Sequence, residues 1–171
     1  NNPVTINPSF NISTSDFKLS GDNKYLVTDL ITVDSNVSYD DYAVSVDNSA
    51  VEVLNSSNEV VGNNTISSGE PFKLRVNLSK IDNPISVNIN VVVNYTDYVA
   101  YSYDPPSDMA DTMQQAVVGT LVGVPKQKTV SASVSMPTGS LTIKKVDSSN
   151  NSPLAGASIE VIRKATNKTV A

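Results

Sequence analysis

The chain has 171 residues, enough for one sandwich and part of another or for two small domains. Apolar residues make up 39% and charged residues 17%, which excludes a disordered chain and leaves Asn, Ser and Thr to supply the polar balance. A net charge of −5 argues against a nucleic-acid partner, and the absence of Cys and His excludes disulfides, thiolate metal sites and Ser-His-Asp or Cys-His catalysis within this chain.

From Phe10 to Val134 short apolar–polar alternation is punctuated by Asn, Asp, Gly and Ser. Tyr25–Val27 and Leu30–Val33 form the first β-prone run, followed by the clean alternation of Tyr42–Val46 and by Val51–Leu54. Phe72, Leu74, Val76 and Leu78 share one face at period two, and Ile85–Val93, continuing to Tyr103, is the longest β-prone stretch. Turn residues lie between these segments at Ser20-Gly21-Asp22-Asn23, Gly62-Asn63-Asn64 and Ser68-Gly69-Glu70. Met109–Val118, behind a Ser107 or Asp108 cap and ahead of Gly119, predicts one short helix. Alternation resumes over Thr129–Met136.

Pro137-Thr138-Gly139 marks a linker, after which Leu141–Asp147 and Ser158–Arg163 predict new strands around a polar turn. Two or three strands do not close a sandwich, so this region is expected to be the beginning of a domain. The expected fold is all-β: an immunoglobulin-like β-sandwich domain over 1–137 with one short helix, then the first strands of a second β-sandwich over 138–171.

Gly139-Ser-Leu-Thr-Ile-Lys-Lys-Val-Asp147, then Pro153-Leu-Ala-Gly-Ala157 and Ile159-Glu-Val161, resembles the start of the collagen-adhesin B-type domain of Gram-positive surface proteins and pilins. The larger part resembles the β-rich region that follows the Cys-Gln thioester segment of Gram-positive thioester adhesins. That resemblance rests on Gly21–Val33, Ser67–Val76, Tyr101–Pro106, Gln114-Gln115 and Val124-Pro125-Lys126. Without a cysteine, the family's thioester has no place within this chain.

The B-type resemblance implies an intramolecular isopeptide bond from a first-strand Lys to an Asn or Asp on the last strand. Such a lysine must be buried, because desolvation lowers its pKa and leaves a nucleophilic amine. Lys145 shares strand parity with Leu141 and Ile143 and is the first choice, Lys144 the second. The plain alternative is two surface lysines beside a strand. In the first domain, Lys18 or Lys24 with Asn88, Asn90 or Asn94, assisted by Asp29, has the residue types for the same bond, although solvated edge and turn residues explain them equally. Val124-Pro125-Lys126 resembles the pilin motif whose lysine sortases join to the next subunit, making Lys126 a candidate, against the reading of a loop lysine beside a proline.

Asn-x-Ser/Thr acceptor sequences stand at Asn11, Asn36, Asn55, Asn63, Asn77, Asn94, Asn150 and Asn167, a number that follows largely from composition. Asp104, Asp108 and Asp111 match no calcium loop and read as a solvated acidic turn, so no metal or other cofactor is expected. No segment approaches the roughly 20 apolar residues of a membrane span, and no export signal is recognisable. The expectation is a non-enzymatic, extracellular stalk segment of a cell-wall adhesin or pilus-like fibre. Its partners would be neighbouring domains or subunits, and a host or cell-surface ligand bound through the parent protein. The alternatives are an adhesive module, with Tyr95, Tyr98, Tyr101 and Tyr103 as the place to look, or a filament subunit assembled by strand exchange.

Overall fold

Where apolar residues alternate with polar ones, a strand buries every second side chain against a facing layer. In the strand β8, Phe72–Asn77, Phe72, Leu74 and Val76 are fully buried while Lys73, Arg75 and Asn77 are partly exposed. The computed structural model describes residues 4–101, 120–137, 139–163 and 167–171. Its two four-stranded antiparallel sheets face each other across one apolar core.

The first sheet joins β2 (Lys18–Leu19), β3 (Tyr25–Val27), β8 and β6 (Val51–Asn55) in the order β2-β3-β8-β6. On its outer surface Glu52 opposes Arg75 directly, with the guanidinium 2.6 Å from the carboxylate and 4.8 Å from the Tyr25 ring centroid. The second sheet has the order β10-β9-β5-β7, from β5 (Asp41–Val46), β7 (Ile66–Ser67), β9 (Ser86–Tyr101) and β10 (Thr120–Ser135). A small ribbon pairs β1 (Pro8–Ser9) with β4 (Asp34–Ser35). Gly69, at φ +84°, occupies a left-handed turn between β7 and β8 that an L side chain would strain.

Tyr42, Val44, Val87, Ile89, Val91 and Val93 supply the second sheet's side of the core. Tyr42 packs edge-on against Phe72, at 6.1 Å between ring centroids. Both ends of the sandwich are anchored in this core. Ile6 and Phe17 enter it from the N-terminal side, Val134 and Met136 from the C-terminal side, and the Thr14 hydroxyl donates to the Ser135 carbonyl at 2.8 Å.

The all-β sandwich expected from the sequence is therefore present, with two differences of detail. β10 begins at Thr120, not at Thr129. It is an edge strand, where Pro125 is tolerated because its missing N–H faces away from the ladder. The strand expected from Ser140 is reduced to an isolated bridge, Val146 to Pro153, and Leu141 and Ile143 are exposed. No facing sheet covers this stretch among the described residues. Beyond it lies only the two-residue ribbon of β11 (Ile162–Arg163) with β12 (Lys168–Thr169). The helix expected over 109–118 lies outside the described residues.

Candidate functional site

The hairpin β9–β10 is far longer than its neighbours. It pairs continuously from Ser86 with Ser135 to Tyr101 with Thr120, whereas β5 covers β9 only from Ile89 to Asn94. Past that limit the hairpin continues as a two-stranded arm, whose faces are set by the period of two. Val87, Ile89, Val91 and Val93 point into the core, so Asn88, Asn90, Asn94, Thr96 and Tyr98 point outward.

The outward residues form cross-strand polar rungs. Asp47 accepts from the Asn88 backbone N–H at 2.8 Å and from its amide Nδ2 at 2.6 Å, while Ser133 donates to Asn88 Oδ1. These donors hold the Asp47 carboxyl below its usual range, the backbone bond first and the side-chain bond second. Ser131 donates to Asn90 Oδ1 in the next outward rung. Nearer the arm, Gln127 Nε2 donates to Asn94 Oδ1 at 3.0 Å, and Asn94 Nδ2 donates to Asp41 Oδ1 at 2.6 Å. Thr96 Oγ1 donates to Asp40 Oδ2 at 2.9 Å. Asp40, Asp41, Asn94, Pro125 and Gln127 line an open groove at this point.

Above the groove Tyr98 is 68% exposed and stands opposite Gly123 in the ladder. A Cβ on Gly123 would come within 2.9 Å of the Thr96 methyl and 3.4 Å of Tyr98 Cε1. The glycine thus gives up strand stability so that the tyrosine ring can lie against the backbone. On the opposite face of the arm Lys126 pairs with Asp97 at 2.8 Å, and that hydrogen bond holds the ammonium pKa up. Val99, Val122 and Val124 are exposed beside the pair.

The remaining residues singled out in the sequence are dispersed. Lys126 lies within β10 opposite Tyr95, not in a loop. Lys18 meets Asp29 at 3.6 Å with side chains 70% and 89% exposed, and Lys24 is also exposed. Both lysines belong to the first sheet or its β2–β3 turn, whereas Asn88, Asn90 and Asn94 are bonded on the outer face of the second. Lys144 and Lys145 are exposed, and the Lys145 carbonyl accepts from Leu154 N–H at 3.2 Å. Arg163 donates to the Ile81 and Asp82 carbonyls, and Lys168 meets the Asp82 carboxylate at 3.1 Å.

Of the glycan-acceptor candidates, Asn11, Asn36, Asn63, Asn150 and Asn167 are exposed. Asn55, Asn77 and Asn94 are half-buried and hydrogen-bonded through their side chains. Tyr95 packs against the core, whereas the side chains of Tyr101 and Tyr103, together with Asp104, Asp108 and Asp111, lie outside the described residues. Sequence reasoning placed Tyr98 among four tyrosines but missed Gly123, Asp40 and Asp41. A glycine facing an aromatic in a β-prone stretch was the available signal, hidden because Leu121–Lys128 was not read as strand.

Among the described residues no group of three or more His, Cys, Asp or Glu side chains converges as a metal site, and no helix is long and apolar enough to cross a membrane. No family model and no curated protein matches the chain. Among solved structures, the Bacillus anthracis TIE protein is similar at a TM-score of 0.48 and 16% identity, over 77% of this chain and 24% of that one. The thioester domain of the Enterococcus faecium TIE86 protein is similar at 0.47 and 16% identity, over 75% of this chain and 43% of that one. This chain spans less than half the length of either, and neither likeness is close enough to decide a function.

Proposed function

We propose that this chain is a non-enzymatic stalk segment of an extracellular surface adhesin or pilus-like fibre, holding a binding tip away from the cell wall. The observation that carries the reading is the anchoring of both ends of the sandwich in one core: Ile6 from the N-terminal side, Val134 and Met136 from the C-terminal side. A pull along the chain is then resisted by the packed core and by the sixteen-residue ladder of β9 with β10, not by a linker alone. The outer face, built from Asn, Ser, Thr and Asp, suits a protein exposed to external medium. The resemblance of Gly139–Ala157 to the B-type stalk domain points the same way.

Where such a fibre carries covalent staples, Lys145 or Lys144 would serve as nucleophile only once a facing strand buries it. The test is to place the chain between a wall anchor and a ligand-binding tip on a displayed protein. Attachment of cells under shear flow should rise with the segment present, while the tip's affinity in solution stays unchanged. Unchanged attachment, or an altered tip affinity, would contradict a spacer role.

A further inference from the structure

We propose that the outer face of the β9–β10 arm is a binding site for a neutral oligosaccharide, with Tyr98 as the stacking platform and Asn94, Gln127, Asp40 and Asp41 as the hydroxyl-binding row. This is a function separate from the spacer role, and it stands without it.

Three observations converge on one strip of surface. The first is the platform. Tyr98 exposes 68% of itself, and its ring edge lies against Gly123, where an added Cβ would touch Tyr98 Cε1 at 3.4 Å and crowd the Thr96 methyl at 2.9 Å. The ring is thus held against the strand, with an aromatic face turned to solvent, as stacking on the axial C–H face of a pyranose requires. An aromatic with two χ angles presents that area at small entropic cost.

The second is the polar row. Asn94 and Gln127 carry planar amides able to donate and accept together, and Asp41 and Asp40 carry carboxylates that accept. Their mutual hydrogen bonds, Gln127 to Asn94 to Asp41 and Thr96 to Asp40, fix the groups in place before any ligand arrives. One oxygen of each carboxylate takes part in these bonds, and a carboxylate has acceptor capacity beyond one partner. Sugar hydroxyls are the ligand groups that match such a mixed row, since each donates and accepts.

The third is spacing and charge. Asn94 and Tyr98 lie four residues apart on one strand face, about 14 Å at the rise of an extended chain, which is the reach of a short oligosaccharide and not of a single sugar. Two carboxylates on a chain of net charge −5 oppose a sialylated or sulfated ligand, leaving a neutral glycan. A peptide strand added to the β10 edge is disfavoured, because Pro125, Lys126 and Lys128 on that edge are the residues that block strand addition.

The experiment is saturation-transfer NMR on the full chain with cellotriose, chitotriose and N-acetyllactosamine as neutral probes and 3′-sialyllactose as the acidic one. Transfer to the axial ring protons of at least one neutral probe is expected, in preference to the acidic one. Tyr98→Phe should keep binding, Tyr98→Ala should weaken it roughly tenfold, the scale of one stacked aromatic contact, and Gly123→Val should also weaken it by crowding the Thr96 methyl and the ring edge beside it. Val99→Ser, on the opposite face of the arm, should bind as the parent does. Amide-correlation spectra of each variant report whether the sandwich is retained. If Gly123→Val or Tyr98→Ala disturbs the fold, Asn94→Ala together with Gln127→Ala tests the same strip from the polar row. Absence of transfer from every neutral probe, preference for the acidic probe, or unchanged binding by folded Tyr98→Ala would overturn the proposal.

Discussion

Thr28 and Leu74 exchange two hydrogen bonds just beyond the end of β3. The Thr28 N–H donates to the Leu74 carbonyl at 3.0 Å, and the Thr28 hydroxyl accepts from the Leu74 N–H, also at 3.0 Å. The side chain stands in for a backbone carbonyl that β3 no longer supplies, and Thr28 is the buried polar residue this requires, at 3% exposure. Thr28→Val keeps the shape and orphans the Leu74 N–H, so it should cost about 1–3 kcal/mol in urea denaturation. Thr28→Ser should recover most of that loss. Equal stability of the valine variant and the parent would show that the amide finds another partner.

Tyr42 gives an alkaline prediction. Its hydroxyl donates to the Glu70 carbonyl at 2.5 Å, and its ring lies edge-on to Tyr39 and Phe72. Burial, then the neighbouring Tyr39 and Glu70, pushes the phenol above its ordinary value of 10.0. The folded state therefore holds a neutral phenol that the unfolded chain ionises first. The contribution of Tyr42 is complete below pH 10 and falls as pH rises from there towards the folded-state pKa. Tyr42→Phe should flatten the loss of stability above pH 10 relative to the parent, measured by thermal melts across that range. An identical slope in both proteins would show that the phenol ionises freely in the fold.

Much of this architecture was legible in the sequence. Tyr42–Val46 and Phe72–Asn77 alternate because one face of each lies on the core and the other on solvent, and both appear as strands close to the positions read. Leu121–Lys128 was not legible, because Gly123 and Pro125 are strand-breaking residues whose tolerance depends on tertiary placement: one beneath Tyr98, the other on a sheet edge. Leu141–Lys145 shows the reverse. Its alternation is real, but among the described residues no facing layer covers it, and Leu141 and Ile143 stay exposed. Of the candidate sites, the tyrosine run was visible as composition. Its polar companions Asp40 and Asp41 were not, because cross-strand register brings them to Thr96 and Asn94, 56 and 53 residues away.

Asp47 and Asn88 set an acid limb. The Asp47 carboxyl accepts two hydrogen bonds from Asn88 and is held below its ordinary value of 3.8. Its contribution is present above that value and lost as pH falls through the lower folded-state pKa. Asp47→Asn should therefore reduce the loss of stability on acidification below pH 4 and leave the melting profile above pH 5 parallel to the parent's. Parallel profiles down to pH 2 would remove Asp47 from the acid transition.

Covalent stapling is checked by intact mass under denaturing conditions. Lys18 and Lys24 are exposed on the first sheet and its turn, Asn90 and Asn94 are bonded on the second, and Lys144 and Lys145 are exposed. The bond needs a lysine amine buried beside its amide partner, and none of these lysines is so placed. The expected mass is that of the unmodified sequence. A deficit of one water or one ammonia would reveal a bond and the lysine that forms it.

The load-bearing role is tested most directly by stretching the chain between its two ends with single-molecule force spectroscopy. Anchorage of both ends in one core predicts a single cooperative rupture whose extension matches the sandwich. Met136→Ala and Thr14→Val, which loosen the exit strand, should lower the rupture force. Gradual extension with no cooperative event, or rupture indifferent to both substitutions, would contradict a stalk that carries tension through its core.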